Sequence, residues 1–285
     1  MILMKDLREA ITWAKEKGVA LGHFNISDSE GFRAVVDEAQ ALGVPVIVGV
    51  SEGERDFIGL EEVSAMVRVQ KEKGFPVFLN ADHTYSVEKA KLAIDAGFDS
   101  VIIDSASKSF DENVGLAREC VSYAKERGGK VLVEAELGFI GQSSKILDKI
   151  PEGVSEETQT SAEDAKRFVE ETGIDLLAPS VGNIHGMVRG GEPRLNIERV
   201  KEIAEVVKVP LVLHGGSGNS DDDVARAIEA GVKIVHINTE IRVAYKKGVV
   251  AGIKTEEVAP YKFLGEGVKE MRRVIGRYLK LFNKL

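Results

Sequence analysis

The chain has 285 residues, 44% of them hydrophobic and 29% charged, with a net charge of -8. That length suits one large α/β domain, and the acidic balance, with Lys and Arg scattered among Glu in helical stretches, argues against a nucleic-acid surface. No apolar run approaches the ~20 residues of a membrane span, the opening Met1-Ile2-Leu3-Met4-Lys5-Asp6 is charged too early for a signal peptide, and the single Cys120 rules out an internal disulfide or a cysteine-built metal site; a cytoplasmic protein with no membrane partner is expected.

Short apolar, β-branched runs at 19–25, 44–51, 76–83, 100–106, 130–138, 175–182, 210–218 and 233–240 read as strands buried on both faces. Amphipathic helical segments lie between them at 29–42, 60–73, 86–96, 110–127, 161–172, 197–207 and 220–230, several stopped by glycine at Gly43, Gly74, Gly97, Gly128, Gly173 and Gly231. Eight strands alternating with helices predict a closed parallel (β/α)8 TIM barrel. The alternative, an open doubly wound sheet, ordinarily shows a glycine-rich turn after the first strand, where this chain has Asn25-Ile26-Ser27-Asp28. No linker divides the chain, so residues 1–285 are expected to form one domain. Residues 139–160, rich in Gly, Ser and Glu, are expected to form a mobile active-site loop. Residues 260–285 predict an added helix whose stripe of Met271, Val274, Ile275, Tyr278, Leu279, Leu281 and Phe282 packs on the barrel or on another subunit.

The predicted strand ends are mostly polar: Asn25, Ser51, Asp82-His83, Asp104-Ser105, Glu134 and Glu136, Asn183 to His185, His214, and Asn238-Thr239. Barrel enzymes hold their chemistry at these C-terminal ends. Three of the five histidines, His83, His185 and His214, fall there beside carboxyl groups. Neutral imidazoles are ligands for a divalent metal, and three protein ligands with an open position mark a catalytic site. After the seventh strand, Gly215-Gly216-Ser217-Gly218 stands where barrels of this class bind phosphate, because glycine lets an anion approach exposed N–H groups. A lysine Schiff base would need an amine at the barrel mouth. Lys130 and Lys233 stand at the opposite end, and Lys108 alone comes near.

The runs Ala81-Asp82-His83, Val133-Glu134-Ala135-Glu136-Leu137-Gly138, Gly182-Asn183-Ile184-His185-Gly186 and Leu211-Val212-Leu213-His214-Gly215-Gly216-Ser217-Gly218 resemble the signature blocks of class II, zinc-dependent ketose-bisphosphate aldolases, in order and spacing from about Leu7 to the tail. The resemblance implies Zn2+, or another divalent ion, on His83, His185 and His214, with Asp104 and Glu136 as second-site ligands. It implies Asp82 as the proton carrier at the aldehyde oxygen, with Asn25 and Ser51 near the substrate. Gly186, Gly215 and Ser217 match the loops for phosphate and a monovalent Na+ or K+, and Asn238 and Thr239 complete the substrate end. The implied reaction is reversible cleavage of a ketose 1,6-bisphosphate, foremost fructose 1,6-bisphosphate, by a homodimer or homotetramer. Tagatose 1,6-bisphosphate, another ketose phosphate, or a metal- and phosphate-binding barrel with little turnover are the alternatives.

Three departures from the family pattern stand out. Asn80 replaces a usual histidine two residues before Asp82, and His236 replaces a usual asparagine, as a structural residue or a ligand contact. In the loop, Gly141-Gln142-Ser143-Ser144-Lys145 lacks the acidic residue thought to take the donor proton, so either Asp148, Glu152, Glu156 or Glu157 takes its place or the substrate differs.

Overall fold

The computed structural model describes residues 4–141, 144–151, 153–191 and 194–285. Within them the strands are β1 (Leu21–Asn25), β2 (Val46–Val50), β3 (Val77–Thr84), β4 (Ser100–Ile103), β5 (Leu132–Leu137), β6 (Ile146–Leu147), β7 (Leu176–Pro179), β8 (Met187–Val188), β9 (Leu211–Leu213) and β10 (Val232–Ile237). All but β6 and β8 close into a parallel barrel, with β1 hydrogen-bonded to β2 on one side and to β10 on the other. The eight expected strands are therefore the eight of the barrel. The short β6 and β8 pair with each other in a separate ribbon, which gives part of the 139–160 loop a strand of its own.

The helices are α1 (Leu7–Lys17), α2 (Ser29–Leu42), α3 (Glu52–Ile58), α4 (Leu60–Glu72), α5 (Val87–Asp95), α6 (Phe110–Glu126), α7 (Ala162–Thr172), α8 (Ile197–Val206), α9 (Asp221–Ala230), α10 (Thr239–Ile253), α11 (Pro260–Phe263) and α12 (Gly265–Asn283). Three of them have no counterpart among the expected segments: α1 and α3 are additions to the alternation, and α10 completes it after the eighth barrel strand. α1 starts where the Asp6 side chain accepts from the Glu9 N–H and stops at Gly18 in the left-handed conformation. Its buried face, Leu7, Ala10, Ile11 and Ala14, has i, i+3, i+4, i+7 spacing. That face packs with Leu21, Ile47, Phe78, Leu132, Leu176, Val212 and Ile234, one residue from each of seven barrel strands, and seals the N-terminal end of the barrel.

A second, larger apolar layer fills the space between the barrel and the outer helices. The tail joins this layer: Met271, Val274, Ile275, Tyr278, Leu279 and Phe282 of α12 are buried, and the helix lies on α2 and α10. Its stripe therefore packs on the barrel's own helices. The Phe282 carbonyl accepts from the Ala20 N–H just before β1, and Glu240 at the start of α10 accepts from Tyr278 Oη at 2.5 Å and Arg277 Nη2 at 2.8 Å. The close approach of α10 to the tail depends on Gly248 and Gly252, where a Cβ would collide with the carbonyl oxygens of Glu266 and Phe263.

Gly248→Ala should cost about 1–3 kcal/mol by overpacking and lower the melting temperature by roughly 3–10 °C. Gly115→Ala in α6, where an added methyl meets nothing within 4 Å, should leave the melting temperature level or raise it through helix propensity. Thermal melts of both variants test the packing; equal behaviour would contradict it.

Candidate active site

Strand side chains alternate between the barrel interior and the helices outside. On the interior parity, β1 carries Leu21, His23 and Asn25, β3 Phe78, Asn80 and Asp82, and β5 Leu132, Glu134 and Glu136. Ile234 and His236 of β10 continue to Asn238 just beyond its end. Each series begins with an apolar residue of the sealed end and turns polar towards the other. His83 breaks the alternation. Its φ is +42°, and the β3–β4 pairing shifts register between Ala81 and Thr84, a bulge that turns the adjacent Asp82 and His83 to one cavity.

His83, Glu136, His185 and His214 hold ligand-type atoms within 4.8 Å of one another. The hydrogen bonds around them leave coordinating lone pairs pointing inward. His185 Nδ1 donates to the Gly141 carbonyl at 2.8 Å, so its Nε2, buried and without a partner, carries the lone pair. His214 Nε2 bonds Glu134 Oε1 at 2.8 Å, which leaves Nδ1 facing Glu136 Oε1 at 2.9 Å with neither atom in a hydrogen bond. His83 Nδ1 lies 2.8 Å from Asp104 Oδ2 and 3.5 Å from Glu136 Oε1. Three imidazoles and a carboxylate with converging ligand atoms, of which His185 Nε2, His214 Nδ1 and Glu136 Oε1 are orphaned, fit a borderline divalent ion such as zinc. Asp104 and Glu136 flank His83, as second-site ligands would.

The carboxylates around these rings favour positive charge, held as protons on two of the imidazoles. Burial opposes protonation of His83, but the Asp82 charge and the bond to Asp104 prevail and bring it up to about 9. Burial opposes His214 too, yet Glu136 and Glu134 hold it well above the usual imidazole range. Burial would raise the Glu136 carboxyl, but the His214 charge wins and holds it at about 2. His185, pushed down to about 4 by burial and by His83, is neutral.

Asp82 is buried beside this group. Asn25 Nδ2 donates to Asp82 Oδ2 at 2.8 Å and to Glu54 Oε2 at 2.9 Å, while Asp82 Oδ1 has no partner. Burial opposes its ionisation, but the His83 charge and the neighbouring His236 hold it well below the usual carboxylate range. Ser51 donates both its N–H, at 2.7 Å, and its hydroxyl, at 2.8 Å, to Glu54 Oε2. Arg242 donates to the other Glu54 oxygen.

Comparison with known proteins agrees with this geometry. The profile of the family "Fructose-bisphosphate aldolase class-II" matches residues 5–285. The chain belongs to the class II fructose-bisphosphate aldolase family. It is an aldolase, a carbon–carbon lyase. It is 37% identical over 283 residues to the fructose-bisphosphate aldolase of Staphylococcus aureus strain Mu50, covering 97% of this chain and 96% of that protein. With the probable fructose-bisphosphate aldolase of Bacillus subtilis strain 168 it shares 39% over 281 residues, 95% of each. Its structure is similar to the crystal structure of the YdjI aldolase from Escherichia coli K12, with a TM-score of 0.84, 32% identity, and coverage of 97% of this chain and 96% of that one.

This group of residues opens into a cavity of about 410 Å³ lined by Ser51, His83, Tyr85, Asp104, Ser144 and Arg242, among others. A smaller recess beside it brings together Asn25, Asp82, Gly186, Gly215, Ser217, Asn238 and Thr239 around His185 and His214. Gly215 has φ +62°, and a Cβ there would strike the Ile184 carbonyl. Ser217 Oγ accepts from the Asn238 and Glu240 N–H groups at 3.2 and 3.3 Å, which ties the glycine loop to the start of α10. All the expected site residues thus meet at one end of the barrel.

Other expectations fare differently. No lysine lines the cavity among the described residues. None of Asp148, Glu156 and Glu157 lines it either; Asp148 is exposed and paired with Arg189 at 3.1 Å. Glu152, Gln142 and Ser143 lie outside the described residues. The pattern reading did not single out His23, Glu54, Tyr85 or Arg242. Ser51-x-x-Glu54 carries a capping-box spacing that signals Glu54, and His23 is on the parity of Asn25; nothing in the sequence distinguishes Arg242 from other helical arginines.

A divalent ion among these groups must displace protons from His83 and His214. Its affinity should therefore fall as pH is lowered from about 9, with proton release on binding measurable by calorimetry in buffers of different ionisation enthalpy. An affinity independent of pH would show that these imidazoles are not ligands.

Proposed function

We propose that this aldolase uses zinc to cleave a ketose 1,6-bisphosphate reversibly, foremost fructose 1,6-bisphosphate, to dihydroxyacetone phosphate and glyceraldehyde 3-phosphate. The observation that carries the reading is the convergence of the orphaned His185 Nε2, His214 Nδ1 and Glu136 Oε1 on His83, beside the unpartnered Asp82 Oδ1. His83, His185 and His214 would hold the ion, with Asp104 and Glu136 as alternative ligands. When bound, the ion supplies Lewis-acid stabilisation of the negative charge that carbon–carbon cleavage leaves on the ketose half.

The chain's own groups handle the proton at C4 and the two phosphate ends. Asp82, ionised and held by Asn25, accepts the proton of the C4 hydroxyl in cleavage and returns it to the aldehyde oxygen in condensation. The Gly186, Gly215 and Ser217 backbone, with Thr239 at the N-terminus of α10 beside Asn238, offers N–H groups and a helix dipole to the phosphate of the ketose end. Arg242 stands at the cavity for the other end.

One observation favours a second reading, an aldolase of the same chemistry acting on tagatose 1,6-bisphosphate or another ketose phosphate. Both donors of Ser51, a residue placed near the substrate, are already given to Glu54.

Cleavage of fructose 1,6-bisphosphate should be lost on chelation with EDTA and restored by zinc. No activity in zinc-loaded protein, with turnover of the tagatose isomer, would select the second reading. Asp82→Ala should keep the ion bound and abolish cleavage, whereas His214→Ala should lose both; full activity in either variant would contradict the assignment. Ser217→Ala should raise KM for the bisphosphate without changing metal content, and an unchanged KM would remove Ser217 from the phosphate site.

A further inference from the structure

Behind Asp82 lies a column of three imidazoles. His23 and His236 are stacked face to face with ring centroids 3.5 Å apart and planes 4° from parallel, and His236 stacks on His214 at 4.0 Å. All three are buried. The column is built into the fold: Gly49 on β2 lacks the Cβ that would occupy the His23 ring, and Gly216 lacks the one that would press on the His236 carbonyl. At its far end, His23 Nε2 meets Asn80 Oδ1 at 3.0 Å, and Asn80 Nδ2 donates to Ser100 Oγ at 2.8 Å. That chain sets the tautomer of His23, with the proton on Nε2.

His236 turns its Nδ1 towards Asp82 Oδ1 at 3.6 Å, the one Asp82 oxygen with no hydrogen bond. We infer that His236 is a positioning residue for Asp82: clamped between His23 and His214, it presents Nδ1–H to the carboxylate oxygen that does not face Asn25 and fixes the orientation in which Asp82 exchanges its proton with substrate. Hydrogen bonds of catalytic groups are often long before substrate binds and tighten in the complex.

The same three side chains, His23, Asp82 and His236, have ligand atoms within 4.8 Å of one another, but they do not make a second metal site. An imidazole coordinates in its own plane, and two parallel planes 3.5 Å apart share no such position.

The inference rests on the reading of Asp82 as proton carrier, and its test separates the two. The zinc-loaded wild type, His236→Leu and His236→Asn are compared in bisphosphate cleavage and in exchange of the dihydroxyacetone phosphate C–H proton with deuterated solvent. The exchange does not involve the C4 hydroxyl that Asp82 serves. Loss of a hydrogen bond to a charged group predicts that His236→Leu lowers kcat for cleavage about 10- to 100-fold, with KM, zinc content and exchange rate within about threefold of wild type. His236→Asn, whose amide offers a donor at the same δ position, should recover most of the loss. Equal losses in both variants, or exchange falling together with cleavage, would overturn the inference in favour of ring packing or support of the metal. Unchanged cleavage in His236→Leu would overturn it outright. A zinc-loaded wild type that exchanges the proton but cleaves no bisphosphate would instead count against the proposed substrate.

Discussion

A strand can aim every second side chain into a barrel, so two adjacent residues on one strand cannot ordinarily serve one site. In this chain Asp82 and His83 are adjacent, and the chemistry proposed for them needs both. The backbone of His83 resolves the conflict by entering the left-handed region, a conformation that costs a non-glycine residue roughly 1–2 kcal/mol. Arg55 secures it from α3. Its Nη1 donates to the carbonyls of Val50 at 2.6 Å and Asp82 at 3.1 Å, and its Nη2 donates to Thr84 Oγ1 at 3.1 Å. One buried guanidinium therefore spans the bulge from both sides, and the bond from His83 to Asp104 holds the ring itself. The rest of the site is arranged around this kink.

The other constraint is a gradient of polarity along the barrel axis. At the sealed end, Leu21, Phe78, Leu132, Val212 and Ile234 meet α1 in an apolar plug. One residue pair further along each strand the interior holds His23, Asn80, Glu134, His214 and His236, all buried and nearly all bonded to one another. Polar groups at this depth are tolerated because they satisfy each other. Among the described residues the orphaned atoms of Asp82, Glu136, His185 and His214 line the proposed site, while His23 Nδ1 stays without a partner deeper in the barrel. The plug below keeps the polar layer from water, and that dryness strengthens each charge interaction above it.

Much of this arrangement was legible in the sequence. Eight β-branched runs separated by amphipathic segments specify a parallel barrel, and their polar ends single out His83, His185, His214, Asp82 and the glycine loop. The period-2 pattern also contained the deeper layer, since His23, Asn80, Glu134 and His236 lie two residues before a site residue or two after an apolar one. What the sequence did not convey was pairing across strands: which oxygen of Glu134 or Glu136 faces His214, or that Glu54 would occupy both donors of Ser51. These depend on register and rotamer. The helices α1 and α3 sit outside the strand–helix rhythm; α10 completes that rhythm after the eighth barrel strand, but its buried face is Thr239, Ile241, Ala244, Gly248 and Gly252, mostly small residues that leave no apolar stripe to read, and a loop's direction is not encoded by periodicity, so the placing of the acids in the 139–160 loop was not legible.

The hydrogen bond from Ala20 to the Phe282 carbonyl joins the segment between α1 and β1 to the last turn of α12, next to the seam where β1 pairs with β10. Ring closure therefore requires segments more than two hundred residues apart in sequence to meet. During synthesis the first strand must wait, its partner edge unpaired, until the last strand and α12 have left the ribosome, and contacts of such long range form late.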